Sequence, residues 1–354
     1  MFFASDNGSG ASPAVLDALV RANTGFAMPY GADEATKAAE AMLSDLFERE
    51  CAIFLVPTGT AANALCLASL CPPWGAIFAH SDAHVMDDEC GAPEFFTNGA
   101  KLVGLAGACG KIGPAALQEA IAAYPAGLVK QVQPAALTLS QATESGTLYT
   151  LDEIAGLSDM AHAAGLKVHM DGARFANAVA ALGASPAEMT WKAGIDVLSF
   201  GGTKNGALMC EAAVFFDPGL ARDFLFRRKR SGHTVSKARF LGAQMLAYLE
   251  KGHWLELASH ANAMAQRLAL GLGAVSGVRL PWPADVNEVF AILPPGADAA
   301  LKKAGAVYYA WSAAALPAAD RPGDGETFVR LVTSFATRAE EVDSFLEIVS
   351  THKA

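Results

Sequence analysis

Short apolar runs recur along this chain, each closed by glycine or a polar cluster and followed by a stretch of helical spacing. That alternation constrains the fold more than any other feature. Residues 51–56, 76–80, 102–105, 135–140, 167–170, 195–200 and 212–216 read as strands; residues 60–70, 114–123, 151–164 and 176–182 read as helices. Strands alternating with helices, with polar groups gathered at strand carboxyl ends, predict an α/β fold. Its sheet is open and mostly parallel, with ligands held outside those ends. Ahead of the first strand lie a loop at 5–10 and helices at 13–23 and 34–49. Residues 236–272 read as one long helix leading into a second unit. From Val278 the pattern becomes α+β, with strands near 289–293, 307–311 and 329–333 and a closing helix from Arg338. The expected organisation is therefore a large domain over 1–245, whose segment 1–36 contributes to the site, and a small α+β domain over 246–354.

The net charge of −10 argues against general binding to nucleic acid or to an anionic membrane surface. Residues 51–81 carry no formal charge, but Pro57-Thr58-Gly59-Thr60 and Cys71-Pro72-Pro73 cut the run into pieces. Each piece is far shorter than the ~20 apolar residues a membrane helix needs. The six cysteines form no Cys-x-x-Cys pair and mostly sit in apolar runs, as buried reduced thiols do. With no basic leader at the N-terminus, the expectation is a cytoplasmic protein.

Chemistry concentrates at four strand ends. The run 195–200 stops at Gly201-Gly202 and presents Thr203 and Lys204. A lysine in a partly dry site loses its charge readily and forms a Schiff base with a carbonyl, whereas a surface lysine faces water. Strand 167–170 delivers Asp171, with Arg174 close behind; a carboxylate there is costly to bury unless paired. Gly59 and Thr60 open a helix after strand 51–56, which offers either a phosphate site or an ordinary threonine cap. The stretch 81–89 holds several metal-ligand types, but its one histidine, His84, has i, i+4 spacing only to His80, which belongs to the strand, so no metal is expected and His84 is better suited to lie against a ring. Arg330, set among apolar neighbours, needs an anionic partner. Gly271-Leu272-Gly273 follows a helix rather than a strand, the wrong context for a dinucleotide fingerprint. A helix start for phosphate, an anion for a ring nitrogen and a lysine for an aldehyde are together what pyridoxal 5'-phosphate requires.

At these residues the sequence resembles the low-specificity L-threonine aldolases, with phenylserine aldolases, among the fold-type I (aspartate-aminotransferase-like) pyridoxal-phosphate enzymes. The resemblance rests on Ser5-Asp6, Tyr30-Gly31-Ala32-Asp33, Pro57 to Asn63, His84 with Glu89, His169 to Arg174 and Ser199 to Gly206, in order over nearly the whole chain. It implies that Lys204 holds the cofactor and Asp171 pairs with the ring nitrogen. By the same resemblance Gly59, Thr60 and Thr203 bind phosphate, and His84 stacks on the ring. Ser5, Arg174 and Arg330 would bind the substrate carboxylate, Arg174 also bordering the cofactor, and Tyr30 would line the site. It further implies a homotetramer built from dimers, with Lys229 or Lys237 reaching a neighbour's phosphate. The implied reaction is retro-aldol cleavage of L-threonine, L-allo-threonine or L-phenylserine to glycine and an aldehyde. β-Elimination and transamination are the alternatives. Where many relatives carry a histidine this chain has Glu144, which leaves Glu144, His84 and an ordered water as candidates for the base.

Overall fold

The computed structural model describes residues 1–352. A seven-stranded sheet forms its centre: β1 (Ala52–Val56), β2 (Gly75–His80), β3 (Lys101–Leu105), β4 (Gln133–Ser140), β5 (Lys167–Gly172), β6 (Val197–Gly201) and β7 (Glu211–Phe215). Their order is β1-β7-β6-β5-β4-β2-β3, and only β7 runs antiparallel to its neighbours. The carboxyl ends of the six parallel strands therefore share one edge, and the start of β7 joins them there. Several strands are buried along their whole length, β2, β6 and β7 among them, as expected where helices cover both faces. Phe47, Phe175, Phe200 and Phe216 pack edge-on or tilted beneath the sheet, with Trp254 stacked beside Phe175.

A second sheet is antiparallel: β8 (Glu288–Leu293), β9 (Tyr309–Ala310) and β10 (Thr327–Val332), in the order β8-β10-β9. The N-terminal segment joins it. Phe3 N–H donates to Val307 O and Phe3 O accepts from Val332 N–H, while the Phe3 ring is buried against Phe345. Asp6 is thereby carried to the edge where the strands of the larger sheet end.

Three expectations change. The long helix over 236–272 is two helices, Arg239–Leu249 and His253–Gly273, because Lys251 and Gly252 adopt left-handed backbone with φ of 55° and 77°. Glycine just past a helix end is the ordinary signal for such a stop. The strand over 307–311 is reduced to Tyr309–Ala310, Val307 making only an isolated bridge to Phe2. Of the cysteines, Cys66, Cys71 and Cys210 are buried as expected, but Cys90 is exposed; all six are free thiols. Among the described residues no helix is long and apolar enough to cross a membrane. No group of three or more His, Cys, Asp or Glu side chains is arranged to hold a metal among them.

Candidate active site

A cleft opens where the parallel strands end, lined by Asn7, Pro57–Thr60, Asn63, His84, Glu144, Asp171, Ala173, Thr203, Lys204 and Glu211. Each group arrives there for a local reason. The sheet register sets Asp171 opposite both Ser140 on β4 and Ser199 on β6. The chain leaves β6 at Gly201 and Gly202, where a side chain would strike Ala173 O at 2.4 Å and Cys210 O at 2.5 Å respectively. Glycine is thus the residue that lets the turn carrying Lys204 lie against β5 and β7. Asn205 locks the far side of this turn, its Nδ2 donating to Tyr248 Oη and to Trp254 O, both at 2.8 Å. Lys204 itself is half-buried and forms no salt bridge among the described residues.

Helix Gly59–Leu70 begins at the cleft. Thr58 caps it, its hydroxyl accepting from Ala61 N–H at 3.1 Å. The first N–H groups of a helix have no partner within it and carry the positive end of its dipole. Gly59 has nothing within 4 Å of where its Cβ would lie, leaving open space in front of those donors.

Asp171 is almost fully buried. Its Oδ1 accepts from Ala173 N–H at 3.0 Å and its Oδ2 from Asn63 Nδ2 at 2.7 Å. The same Asn63 nitrogen donates to Glu89 Oε1 at 2.9 Å, and Glu89 Oε1 also meets His84 Nδ1 at 2.9 Å. Asn63 thus bridges two buried carboxylates, while its own Oδ1 and Glu89 Oε2 have no partner. The hydrogen bond that Nδ1–H donates to Glu89 raises the His84 pKa above its ordinary value despite partial burial. His84 accordingly keeps a proton more readily than a free imidazole. His169, under the same strands, is held between Thr138 and Ser199, and burial pushes it down to about 4; it is a neutral structural residue. Asn63→Ala leaves Glu89 and Asp171 without their shared donor. The expected cost is ~1–3 kcal/mol of stability, read as a lower urea midpoint.

Arg174 is buried and engaged on two sides. Nε and Nη2 donate to Asp6 Oδ2 and Oδ1 at 2.8 and 3.2 Å, and Nη1 lies 3.2 Å from Glu288 Oε2. Arg330 Nη1 is 3.9 Å from the other oxygen of Glu288, its guanidinium lies over Trp311 at 4.2 Å, and its Nε has no partner. Ser5 sits at the same end, its hydroxyl accepting from Asn7 N–H at 3.1 Å. The structure therefore brings together Gly59, Thr60, His84, Glu144, Asp171, Thr203 and Lys204, with Arg174, Arg330 and Ser5 alongside. It does not bring in Tyr30, Lys229 or Lys237. Tyr30 is exposed, with Lys229 Nζ over its ring at 5.1 Å, and Lys237 is exposed as well.

Sequence reasoning assigned no role to Asn63, Glu211 or Glu288. The last two open apolar strand runs, Glu-Ala-Ala-Val-Phe and Glu-Val-Phe-Ala-Ile-Leu, and a carboxylate written into a buried strand was the available signal. Asn63 had none, since one polar residue on a helix is ordinary.

A lysine at a strand end, a buried carboxylate held by donors across the cleft, and free helix N–H groups facing open space fit a phosphorylated pyridine aldehyde. The fold and this cleft define a pyridoxal-phosphate-dependent enzyme of fold type I. Residues 3–294 match the beta-eliminating lyase family, and the chain belongs to it. Over 307 residues it is 45% identical to the low-specificity L-threonine aldolase of Pseudomonas sp. strain NCIMB 10558, a match covering 87% of this chain and 88% of the relative. The low-specificity L-threonine aldolase of Pseudomonas aeruginosa matches to the same extent, 45% over 307 residues, with the same coverage of each chain. Among solved structures, the threonine aldolase of Leishmania major aligns with a TM-score of 0.91 at 29% identity, covering 99% of this chain and 98% of that one.

Proposed function

We propose that this protein cleaves L-threonine, L-allo-threonine and related L-β-hydroxy-α-amino acids such as L-phenylserine to glycine and an aldehyde. The observation that carries the reading is Lys204, Asp171 and the start of helix Gly59–Leu70 in one cleft, in a chain so similar to threonine aldolases. When bound, pyridoxal phosphate supplies a sink for the electron pair released at the substrate's Cα. The protein does the rest. Lys204 would hold the cofactor through Nζ, and Asp171, fixed by Asn63 and Ala173, would keep a proton on its ring nitrogen. Gly59, Thr60 and Thr203 would bind the phosphate, and His84, its proton held by Glu89, would be the flat partner for the cofactor.

Ser5, Arg174 and Arg330 would bind and orient the substrate carboxylate. Arg174 is already committed to Asp6 and Glu288, whereas Arg330 has only the distant Glu288. Arg330 therefore supplies the free donor fork, and Arg174 borders both cofactor and substrate while supporting Ser5-Asp6. Glu144 lines the cleft with no ion pair among the described residues. It is the better acceptor for the β-hydroxyl proton, because the hydrogen bond His84 donates to Glu89 favours the protonated form of His84. Arg330→Ala is expected to raise KM for L-threonine by about 10–100-fold, the loss of one charged hydrogen bond at ~1.5–3 kcal/mol. Steady-state kinetics of refolding-competent variant and wild type check it.

The assembly belongs to the same reading. Phe26, Met28, Leu208, Met209, Leu225 and Phe226 are exposed apolar side chains. We read them as subunit surface of a homotetramer in which Tyr30 and Lys229 or Lys237 of a neighbouring copy complete the cleft. The division into a cofactor-holding domain over 1–245 and a smaller one over 246–354, and residence in the cytoplasm, complete it. Incubating the holoenzyme with L-threonine, L-allo-threonine and L-phenylserine while assaying glycine and aldehyde tests the reaction. Release of glycine and aldehyde supports it; ammonia and a keto acid would mark β-elimination and overturn it.

A further inference from the structure

Glu211 is used by none of the steps above, yet it lines the cleft. Register explains how it comes to be there: it pairs with Val56 on β1 and with Gly201 on β6. It thus stands between the strand that leads into Thr58-Gly59-Thr60 and the strand that leads into Thr203-Lys204. Its side chain is buried, and Oε2 accepts from Gly202 N–H at 2.7 Å. A carboxyl group has been built into the wall between the two segments that would face a phosphate.

We propose that Glu211 is a positioning residue for the cofactor's phosphate: as a neutral acid it supports the Gly202–Lys204 turn and tolerates the anion, and as a carboxylate it repels it. This rests on the reading that phosphate lies at the start of helix Gly59–Leu70. Burial pushes the Glu211 carboxyl up to about 7, against the lowering effect of Thr203, the Gly202 N–H and Lys204. The groups that face it are few. Lys204 and Thr203 come from the turn; Val56 and Gly201, on the flanking strands, do not titrate. Cys210 and Tyr248 are both pushed up by burial and stay neutral through this range. The folded-state pKa is raised, so the neutral acid prevails below about 7 and the charge appears as pH rises through it.

If binding selects the neutral acid, linkage makes the cofactor dissociation constant rise about tenfold between pH ~6 and pH ~8. Glu211→Gln keeps an acceptor for Gly202 N–H but cannot ionise. Holoenzyme of each form is dialysed against graded pyridoxal phosphate across that range, and bound cofactor is read from its visible absorption. The phosphate's own titration, with a second pKa near 6, affects both forms alike and cancels in their ratio. The expected wild-type-to-variant ratio of dissociation constants grows about tenfold from the lower to the higher pH. A ratio independent of pH would overturn the inference while leaving the proposed reaction intact. The wild type alone gives a second check with pyridoxal, which lacks phosphate and should show no such rise. An equal rise would place the effect of Glu211 on Lys204 rather than on phosphate, and the proposal would fall. If the wild type binds no pyridoxal phosphate at any pH, the cofactor assignment fails and this inference with it.

Discussion

Lys204→Ala is expected to remove the visible absorption of the holoenzyme and to reduce aldehyde release by more than about 10⁴-fold, the scale seen when a covalent group is deleted. The effect should be this large because the described residues lining the cleft offer no second lysine. Folding should be little affected. Lys204 is half-buried and without a salt bridge among the described residues, and the turn that carries it is held instead by Asn205, by the packing of Gly201 and Gly202, and by Glu211. The variant should therefore unfold at a urea midpoint near that of the apoenzyme. Unchanged absorption and activity would show that the amine of residue 204 is not the group that holds the cofactor.

Arg174→Ala should act in the opposite way, through stability first. Asp6 and Glu288 are both essentially inaccessible, and Arg174 is the only cation within 3.5 Å of either among the described residues. Breaking a buried pair from one side costs about 3–5 kcal/mol because the partner's charge is left uncompensated; here two partners are stranded. Burial alone would raise the Asp6 carboxyl, but Arg174, Lys204 and the bonds from Arg174 and Asn287 overcome this and hold it below its ordinary 3.8. A depressed carboxyl contributes stability that is present above 3.8 and lost as pH falls through the lower folded value. Wild type should thus lose stability on acidification in that window, and Arg174→Ala should lose much less there, having already forfeited it. Adding Asp6→Asn and Glu288→Gln to Arg174→Ala should recover part of the loss, since both stranded carboxylates would then be neutral while Arg330 gives up its 3.9 Å partner. Urea unfolding at neutral and acid pH measures all three effects. Additive losses in the triple variant would show that the cluster is not coupled.

Burial raises the Glu288 carboxyl, while Arg174 and Arg330 pull it down. It balances two arginines that would otherwise leave excess positive charge at the carboxylate end of the cleft. That balance holds Arg174 between Asp6 and Glu288 and leaves Arg330 only a 3.9 Å contact to Glu288, which is why, on the proposed reading, the two arginines are expected to respond so differently to removal.

Much of this was written into local sequence. The alternation of apolar runs and helical stretches is a property of neighbours in the chain, and it determined the α/β class and the strand ends where function sits. Gly-Gly before Lys204, Gly after Thr58 and Asp171 closing β5 are each short-range signals with a physical reason, so they could be read without coordinates. What local sequence does not contain is distance. Asn63 meets Asp171 across 108 positions and Asp6 meets Arg174 across 168, and only sheet order and register bring them within 3 Å. The same holds for Glu211, whose position between β1 and β6 follows from the one antiparallel strand in the large sheet. The break at Lys251-Gly252 shows the converse: two residues with left-handed backbone outweighed an otherwise continuous helical pattern. Periodicity and turn chemistry act between neighbours and are legible there. Charge pairing and burial depend on which strands lie side by side, and that was decided by the packing of the whole chain.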